Sequence, residues 1–354
     1  MEDDAGRAGP LPEERSECLH RDDEPVRGGA AEPDVEDLVG LALDLRPLPS
    51  ERDQNFAVAI DGQDRFVLKL SNASEDAAFL DLQQKAMARL VAGGVPCQVP
   101  VVALDGREVL DVGSDGRPIL ARVLTWLPGR PLATIPPAHR PEPLLRDLGR
   151  VMGRAATALG SFEHPAAHRP FQWEAGQGLE VIAAHASAVA DVERRELLSR
   201  WIDRLRRLAD ALPALRHGVI HNDANDHNVL VDDAGSAIAG LLDLGDAVYS
   251  VVANELAVAA AYAALGAPDP LAVVATIRAG FEETCPLRDD ERAVVVELVA
   301  LRLATSVALS AHQSRLDPAD AYLTVSEAPA WALLTTLIDI ESAAAGTRIR
   351  ASRP

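Results

Sequence analysis

The sequence contains few aromatic residues, few cysteines and almost no lysine. Aromatic residues make up only 4% of the 354 residues, so leucine, valine and alanine must supply most of any core. The three cysteines, Cys18, Cys97 and Cys285, are too few and too scattered for a disulfide framework or a zinc site, which is typical of a reducing compartment. Only two lysines occur, Lys69 and Lys85, so arginine carries nearly all of the positive charge.

Positive charge is scarce overall, because 34 Lys plus Arg face 54 Asp plus Glu and leave a net charge of −20. So acidic a chain repels nucleic-acid backbones and anionic membranes, and we expect neither as a partner. A small cationic or zwitterionic substrate is compatible with this charge. No run approaches the roughly 18 apolar residues of a transmembrane helix, and the N-terminus MEDDAGRAGP lacks the basic start and apolar stretch of a signal peptide. The sequence therefore predicts a cytoplasmic protein and leaves its oligomeric state open.

Three regions follow one another along the chain. Residues 1–37 hold 13 acidic and 4 basic side chains and almost no large apolar residue, which predicts a disordered acidic tail. Residues 38–128 predict a small lobe that binds nucleotide, and residues 129–354 a larger, mainly helical lobe with a strand–loop–strand unit over residues 218–246. The expected fold class is α+β, with a small antiparallel β lobe that contains one helix and a mainly α second lobe.

The elements of the small lobe are predicted from their periodicity. A helical start covers residues 35–45, and NFAVAI and RFVLKL flank the turn DGQD as a β-hairpin. A helix begins at Ser74 and closes at Gly93 and Gly94. The segments VPVVAL, REVLDV and ILARVLTWL are then typical of strands.

The loop HNDANDHN, residues 221–228, carries the pattern that indicates the chemistry. Its order H-x-D-x4-N is that of a kinase catalytic loop, in which the Asp accepts the proton of the substrate hydroxyl and the Asn holds Mg²⁺. Fifteen residues further, an apolar strand ends in Asp243-Leu244-Gly245, the D-x-G form of the metal-binding Asp. We therefore predict Asp223 as the catalytic base, with Asn228 and Asp243 as Mg²⁺ ligands, because hard cations prefer oxygen ligands.

A plain polar turn is the alternative interpretation of this loop, since Asn and Asp are ordinary turn formers. Two features oppose it: three of the chain's six asparagines lie within these eight residues, and apolar strands flank the loop on both sides. We expect His221 to brace the loop through backbone hydrogen bonds. Asp246 is either a group next to the metal site or a helix N-cap.

Lys69 is the candidate for phosphate binding. Kinase folds place a Lys of the third strand on the α- and β-phosphates, and Lys69 lies in RFVLKL, the third strand by count. Binding a phosphate suits the compact ammonium group of Lys, which Arg does not replace. The alternative interpretation is that Lys69 is a solvated residue at the edge of the sheet. The acidic partner expected on the following helix stays open among Asp81, Glu75 and Gln83.

The segment before NFAVAI is the candidate phosphate loop, although it lacks a G-x-G-x-x-G pattern. If it covers the phosphates, backbone N–H groups and Ser50, Gln54 or Asn55 must provide the contacts. An ordinary polar loop explains the same residues almost as well.

Together these segments resemble the aminoglycoside phosphotransferase and choline kinase superfamily, and most closely its hydroxylysine-kinase-like branch. The stretches that carry the likeness lie between about residues 36 and 340: PSERDQNF, RFVLKLSN, RVLTWLPGRPLA, HNDANDHNVLV, LLDLGDAVYS with NELAVAAAYA, and YLTVSEAPAW. The resemblance implies a two-lobed protein-kinase-like fold with a helical substrate-binding insert, ATP or GTP as the phosphate donor, and Mg²⁺ as the metal.

The resemblance also implies roles for single residues. The segment Leu124–Leu127, with Leu124 and Trp126, is the hinge against the purine, and Glu255 is a structural acid that anchors the catalytic loop. Asn222 departs from the usual pattern of the superfamily, which has Gly at that position, although HND is similar to the hydroxylysine-kinase-like branch.

The function expected from these features is that of a small-molecule kinase. It would transfer the γ-phosphate of ATP or GTP to a hydroxyl of a small amine-containing substrate, such as a hydroxylysine-like amino alcohol. An aminoglycoside or other antibiotic phosphotransferase and a choline- or homoserine-type kinase are the alternatives within enzymes. A pseudokinase that binds nucleotide without turnover is the alternative from another class.

Overall fold

The structure is a computed structural model that describes residues 44–49, 53–71, 75–113, 118–316 and 327–340. By packing, the chain divides into two compact units, Met1–Glu75 with Arg107–Val123, and Asp76–Gly106 with Leu124–Pro354. The predicted acidic tail, residues 35–43 of the predicted first helix, and Ser50 lie outside the described residues.

The first unit is built on an antiparallel sheet. Its strands are β1 (Asp44–Leu48), β2 (Gln54–Ile60), β3 (Gln63–Leu70), β4 (Leu110–Asp111) and β5 (Leu120–Thr125), in the order β1-β2-β3-β5-β4. The last two residues of β5 are grouped with the second unit. Apolar side chains that alternate along the strands meet on one face, where the buried ones are Val58, Leu68, Leu70 and Ala121.

The hairpin of β2 and β3 confirms the strands predicted from NFAVAI and RFVLKL. Its turn residues Asp61 and Gly62 have φ angles of 53° and 74°, the left-handed conformation that a tight two-residue hairpin turn requires. Asn55 of β2 lies directly opposite Lys69 of β3 in the register. Directly opposed residues share a face of the sheet, so these two candidate phosphate-binding residues are neighbours.

Two predictions of local structure are wrong. Asp44 and Leu45, which were predicted to end a helix, belong to β1. This strand lies at the edge of the sheet, where Pro47 is tolerated although it has no N–H to donate. The segment VPVVAL, residues 99–104, forms only an isolated bridge at Pro100. Its ladder cannot extend, because the side chain of Thr125 accepts the N–H of Val99 and Pro100 has no N–H. REVLDV contributes only the two residues of β4.

The second unit is mainly helical, as predicted. Its helices are α1 (Ala77–Ala92), α2 (Glu142–Leu159), α3 (Ala175–His185), α4 (Val192–Ala211), α5 (Val252–Ala264), α6 (Pro270–Glu282), α7 (Asp289–Ala293), α8 (Val295–Leu316) and α9 (Glu327–Ile338). Single 3₁₀ turns lie at Leu132–Thr134, Pro137–His139, Pro165–Ala167, Ala186–Ala188 and Leu212–Ala214. The short strands are β6 (Arg130–Pro131), β7 (His217–Ile220), β8 (Val229–Val231), β9 (Ile238–Leu241) and β10 (Val248–Val251).

Helix α1 begins and ends close to its predicted limits. The side chain of its N-cap, Asp76, accepts the N–H of Ala78, and Gly93 forms the C-cap. Packing groups α1 with the second unit, whereas the domain boundary predicted from the sequence, between residues 128 and 129, places it in the first. That boundary stays a prediction.

Helix α8 is long and apolar enough to cross a membrane by length and composition, which the sequence reading did not anticipate. Its mean hydropathy reaches 1.4 over 18 residues, but 83% of that window is buried inside the protein. It packs against α3, α4, α5 and α9. A helix that is apolar on all sides and enclosed by other helices is a core helix.

Two glycines allow α2 and α6 to pack closely. A Cβ at Gly149 of α2 would collide with the carbonyl oxygen of Ile277, and a Cβ at Gly280 of α6 would collide with that of Arg146. Both obstacles are backbone atoms, which cannot rotate away as a flexible side chain can. The absence of side chains at these two positions therefore sets the spacing of the two helices.

We predict that Gly149→Ala lowers the free energy of unfolding by about 1–3 kcal/mol, because the added methyl group overpacks the contact of α2 with α6. Helix propensity alone would instead raise it by about 0.5–1 kcal/mol. The measurement is urea unfolding followed by circular dichroism. The matched control is Gly176→Ala in α3, an exposed glycine whose Cβ would meet only the flexible Glu174 side chain. Gly149→Ala as stable as the unmodified protein would contradict the prediction.

Candidate active site

The loop of residues 221–228 connects β7 to β8. Ile220 and Val229 at its two ends are fully buried, which fixes the position of the polar segment between them. The carbonyl of Asn228 accepts the N–H of Leu242 at 2.8 Å, so the end of the loop is tied to the residue that follows β9. The flanking apolar strands therefore place the loop as the sequence predicted.

Glu255 of α5 anchors the start of the loop. Its Oε1 atom accepts the N–H of His221 at 3.2 Å, and its Oε2 atom accepts the N–H of Asn222 at 3.1 Å. Burial raises the pKa of Glu255, although His221 and the two N–H donors oppose the shift. These contacts agree with the anchoring role that the resemblance implies for Glu255.

Asn222 adopts the left-handed backbone conformation, with φ at 64°. Gly tolerates this conformation best and Asn is among the few other residues that do, which accounts for the departure from the more usual Gly. The side chain of Asn222 is fully buried. It donates to the carbonyl of Trp173 at 3.3 Å and accepts from the Asn254 amide at 3.0 Å. Asn thus keeps the turn and adds two contacts that Gly cannot make.

The ring of His221 braces the loop, as expected. Asp223 donates its N–H to Nδ1 at 3.2 Å, so Nδ1 is the acceptor and Nε2 carries the proton. Nε2 then donates to the carbonyl of Leu242 at 2.9 Å. Because Leu242 directly precedes Asp243, this fully buried ring links the two predicted acidic residues of the site.

Three side chains hold the carboxylate of Asp223. Asn225 donates to both oxygens at 3.1 Å, Asn228 donates to Oδ2 at 2.7 Å, and Arg302 donates to Oδ1 at 3.0 Å. The Asp223 side chain is still 21% exposed, so a ligand can reach it. A fixed but accessible carboxylate is the arrangement that a residue orienting a hydroxyl requires.

Negative charge is concentrated around Asp223. Burial, together with the nearby carboxylates of Asp246 and Asp243, raises its pKa well above the usual value, while Arg302 and Asn225 oppose this rise. Crowded carboxylates stabilise a bound cation, because the cation relieves their mutual repulsion. The helix N-cap interpretation of Asp246 is wrong, since the next helix, α5, begins at Val252 after a strand.

The two predicted metal ligands fit a nucleotide-bound cation. Asn228 uses its amide nitrogen on the main chain and the side chain of Asp223, which leaves its oxygen for a metal. Asp243 has φ at 56°, and its Oδ1 accepts the N–H of Gly245 at 2.8 Å. Among the described residues, no three His, Cys, Asp or Glu side chains gather as a metal site. Mg²⁺ on a nucleotide requires only one or two carboxylates, because phosphates and waters complete its shell.

Two candidate phosphate-binding residues, Lys69 and Asn55, lie in the sheet of the first unit. Lys69 is buried in β3, and its Nζ lies 3.9 Å from Asp53 Oδ2, with the guanidinium of Arg122 at 3.8 Å from the same oxygen. Asn55 Oδ1 is buried and has no hydrogen-bond partner within the described part of the chain. Asp53, which the sequence did not suggest, is thus an acidic group beside Lys69.

The other candidates are Asp81 of α1 and the predicted hinge residues Leu124 and Trp126. Asp81 contacts Lys85 at 2.6 Å and His164 at 2.9 Å, and the hydrogen bond from Lys85 lowers its pKa. Leu124 of the predicted hinge packs in the main core, while Trp126, just after β5, is half-buried. A purine at this segment would therefore meet the main chain at Leu124.

Sequence reasoning missed two residues that contact Asp223. Asn225 was counted in the loop without a role, yet its Oδ1 also accepts the N–H groups of His227 and Asn228. Arg302 lies 79 residues beyond Asp223, in α8, with its guanidinium 4.2 Å from the Trp173 ring. One signal was available: Arg302 interrupts the long apolar run of α8.

We predict that Glu255→Gln lowers the free energy of unfolding by about 1–3 kcal/mol, because one N–H acceptor becomes a donor that faces another N–H. Turnover should fall further than nucleotide affinity, since the loop carries Asp223. Urea unfolding and steady-state kinetics measure the two effects. Glu180→Gln, on the exposed face of α3, is the control and should change stability by less than about 0.5 kcal/mol. Equal stability of the two variants would refute the anchoring role.

Comparison with known proteins gives a consistent result. Residues 44–294 match the family described as Phosphotransferase enzyme family. The chain is 30% identical to hydroxylysine kinase of Bos taurus over 333 residues, and 31% identical to that of Mus musculus over the same length. Each alignment covers 86% of this chain and 88% of the relative.

Solved structures share the fold at lower identity. An amicoumacin kinase in complex with AMP-PNP, Ca²⁺ and Ami has a TM-score of 0.65 at 16% identity, covering 84% of this chain and 91% of that chain. A microcompartment-associated aminopropanol kinase has a TM-score of 0.59 at 17% identity, covering 87% and 92%. The predicted kinase-like α+β fold and the prediction of a small-molecule kinase are confirmed, and the chain belongs to the Phosphotransferase enzyme family.

Proposed function

We propose that this chain transfers the γ-phosphoryl group of ATP or GTP to a hydroxyl of a small amine-containing acceptor, with a hydroxylysine-like compound as the first candidate. The observation that carries the proposal is the carboxylate of Asp223, which Asn225 and Asn228 fix in an accessible position. Two curated relatives named hydroxylysine kinase support the choice of acceptor.

Asp223 would orient the acceptor hydroxyl. The hydroxyl oxygen forms a bond to the γ-phosphorus as the bond from that phosphorus to the leaving β-phosphate oxygen breaks, and the hydroxyl proton passes to Asp223. Little covalent chemistry falls to the protein, so most of the rate acceleration comes from positioning and charge stabilisation. The three side chains on Asp223 supply that positioning.

The nucleotide and metal contacts are proposals of the same kind. Asn228 and Asp243 would hold Mg²⁺, which neutralises charge between the phosphates. Lys69, with Asn55 opposite it in the sheet, would contact the phosphates, and Ser50 would belong to the loop that covers them. The segment around Leu124 and Trp126 would meet the purine.

We also propose a reducing, cytoplasmic location. Cys97 and Cys285 are free and buried. Burial raises the pKa of Cys97 to about 12, which makes it a packing residue and an unreactive thiol.

An antibiotic phosphotransferase is the second candidate. A solved phosphotransferase in ternary complex with ADP and hygromycin B shares the fold, with a TM-score of 0.59 at 18% identity. That identity is well below the 30% to the hydroxylysine kinases, so the latter carry more weight for the acceptor. A pseudokinase is disfavoured because Lys69, Asp223, Asn228 and Asp243 are all present.

The test of the proposed function is a screen for nucleoside diphosphate release, with ATP and with GTP. The acceptors are 5-hydroxylysine, ethanolamine, choline, homoserine and an aminoglycoside. We expect the highest kcat/KM with 5-hydroxylysine. A preference for the aminoglycoside would select the second candidate. Thermal stabilisation by Mg²⁺-nucleotide without turnover of any acceptor would identify a pseudokinase instead.

Replacing Asp223 by Asn should lower kcat by about 10²–10⁴-fold, because the amide cannot accept the hydroxyl proton. The KM for nucleotide should change little. Steady-state kinetics with the best acceptor measures both quantities. Asp233→Asn, in the exposed turn between β8 and β9, is the matched control and should keep full activity. Near-normal turnover of Asp223→Asn would exclude its assignment as the base.

The two lysines provide an internal comparison for phosphate binding. Lys69→Met should raise the KM for nucleotide about ten- to hundredfold, the range expected for a lost hydrogen bond to a charged group. Lys85→Met should leave it unchanged, because Lys85 is more than half exposed and paired with Asp81. Kinetics at saturating acceptor gives both values. Similar nucleotide affinities of the two variants would count against a phosphate-binding role for Lys69.

A further inference from the structure

Two buried cations share one face of the sheet in the first unit. They are Lys69 of β3 and Arg122 of β5. The residues that precede them in the sequence, Leu68 and Ala121, belong to the apolar cluster on the opposite face. Because side chains alternate along a strand, both cations point away from that cluster. Neighbouring groups must compensate for the hydration that such buried charges have lost.

The carboxylate of Asp53 lies beside both cations. Its Oδ2 atom is 3.9 Å from Lys69 Nζ and 3.8 Å from Arg122 Nη2, and its side chain is 14% exposed. Both distances exceed the roughly 2.7–2.9 Å of a charge-assisted hydrogen bond. Asp53 therefore attracts the ammonium of Lys69 electrostatically without occupying one of its three N–H donors.

Asp53 belongs to the candidate phosphate loop. It directly precedes β2, so its contact with Lys69 ties the end of this loop to β3. The sequence predicts the acidic partner of Lys69 on helix α1, but Asp81 of that helix contacts Lys85 and His164. An acid of the loop thus contacts Lys69 from a direction that the sequence did not predict.

This geometry restricts the movement of the Lys69 ammonium. A lysine side chain is flexible, so fixing its position on a ligand costs rotamer entropy. The field of Asp53 reduces that cost in advance, because it favours rotamers that keep the ammonium beside the carboxylate. Arg122 restricts Asp53 in the same way, since its planar guanidinium is buried beside the same oxygen atom. In protein kinases, an ion pair between the phosphate-binding Lys and an acid must be in place for phosphoryl transfer.

We infer that Asp53 is a positioning residue, which holds the ammonium of Lys69 ready for the phosphates of the nucleotide, while Arg122 holds Asp53. This inference rests on the phosphate-binding role proposed above for Lys69 and gives a role to two residues that have none in that proposal. A purely structural ion-pair cluster would instead stabilise the sheet and affect every part of a bound nucleotide alike.

The test separates the phosphates from the rest of the nucleotide. Calorimetry measures the Kd of a non-hydrolysable ATP analogue and that of adenosine, which lacks phosphates; a GTP analogue and guanosine replace them if the protein prefers guanine. We expect Asp53→Asn to weaken binding of the analogue about tenfold, within the range of coupling between neighbouring charged groups, and to leave binding of the nucleoside unchanged. Asp53→Glu, which keeps the charge, should recover part of the loss.

A double-mutant cycle tests whether Asp53 acts through Lys69. In the Lys69→Met background, Asp53→Asn should cause no further loss of affinity for the analogue, because no ammonium is left to position. A full additional loss in that background overturns the inference. Equal losses for analogue and nucleoside, or no loss for the analogue, also overturn it, since a structural role of Asp53 accounts for both results.

Asp64→Asn is the matched control. Asp64 lies in the same sheet, where it forms an ion pair with Arg46 at 2.7 Å that is open to solvent, so its loss should leave both affinities unchanged. Circular dichroism verifies that each variant is folded. If Asp53→Asn does not fold because two buried cations then lack their carboxylate, Asp53→Asn with Arg122→Met removes one charge of each sign. This double variant should show the same loss for the analogue alone, and unchanged affinity for the analogue would overturn the inference.

Failure of the proposed function gives a different result. The binding measurements need no acceptor, so they do not depend on turnover. If Lys69→Met leaves the affinity for the analogue unchanged, the proposed phosphate contact of Lys69 fails and the inference fails with it. If Lys69→Met weakens binding of the analogue and Asp53→Asn does not, only the inference fails.

Discussion

The catalytic loop depends on the carboxylate of Glu255, which accepts the N–H groups of two successive residues, His221 and Asn222. This contact fixes the left-handed turn at Asn222, and the turn brings the N–H of Asp223 onto the His221 ring. The ring in turn holds the carbonyl that precedes Asp243. One buried carboxylate thus fixes, through the His221 ring, the positions of Asp223 and of the D-x-G segment with Asp243. Because the groups are buried and satisfied by one another, the network is rigid at little cost in free energy.

The second constraint on the site is its surplus of negative charge. Burial and the nearby carboxylates of Asp246 and Asp243 raise the pKa of Asp223, and Arg302 of α8 opposes this rise. A metal cation and an acceptor amine both reduce the repulsion, so the site favours the two kinds of ligand that the proposed reaction requires. The same electrostatics therefore supports an amine-containing acceptor.

Local signals in the sequence predicted much of this arrangement, and non-local contacts account for what was missed. Three features depend only on residues close together in the sequence, which is why they could be predicted from it. They are the hairpin with Asp61 and Gly62, the helix capped by Gly93, and the H-x-D-x4-N spacing. The strand expected at Val99 failed because a side chain 26 residues away takes its N–H. Asn225 lies within the predicted loop, but its hydrogen bonds to both oxygens of Asp223 depend on the loop conformation, which the residue spacing does not reveal. The contact of Arg302 with Asp223 spans 79 residues and has no periodicity to detect.

Two different parts of the second unit meet at Asp223. The segments next to β7, β8 and β9 carry Asp223, Asn228 and Asp243, whereas α8 carries Arg302, whose guanidinium lies against Tyr262 of α5 and Trp173 before α3. Two hydrogen bonds join these parts, one from Arg302 to Asp223 and one from the Asn222 side chain to the carbonyl of Trp173. Solved structures named for different small molecules share this fold at 14–18% identity, so the fold alone does not specify the acceptor. For this chain, substitution of Asp223 therefore tests the proposed reaction, whereas only a comparison of substrates identifies the acceptor.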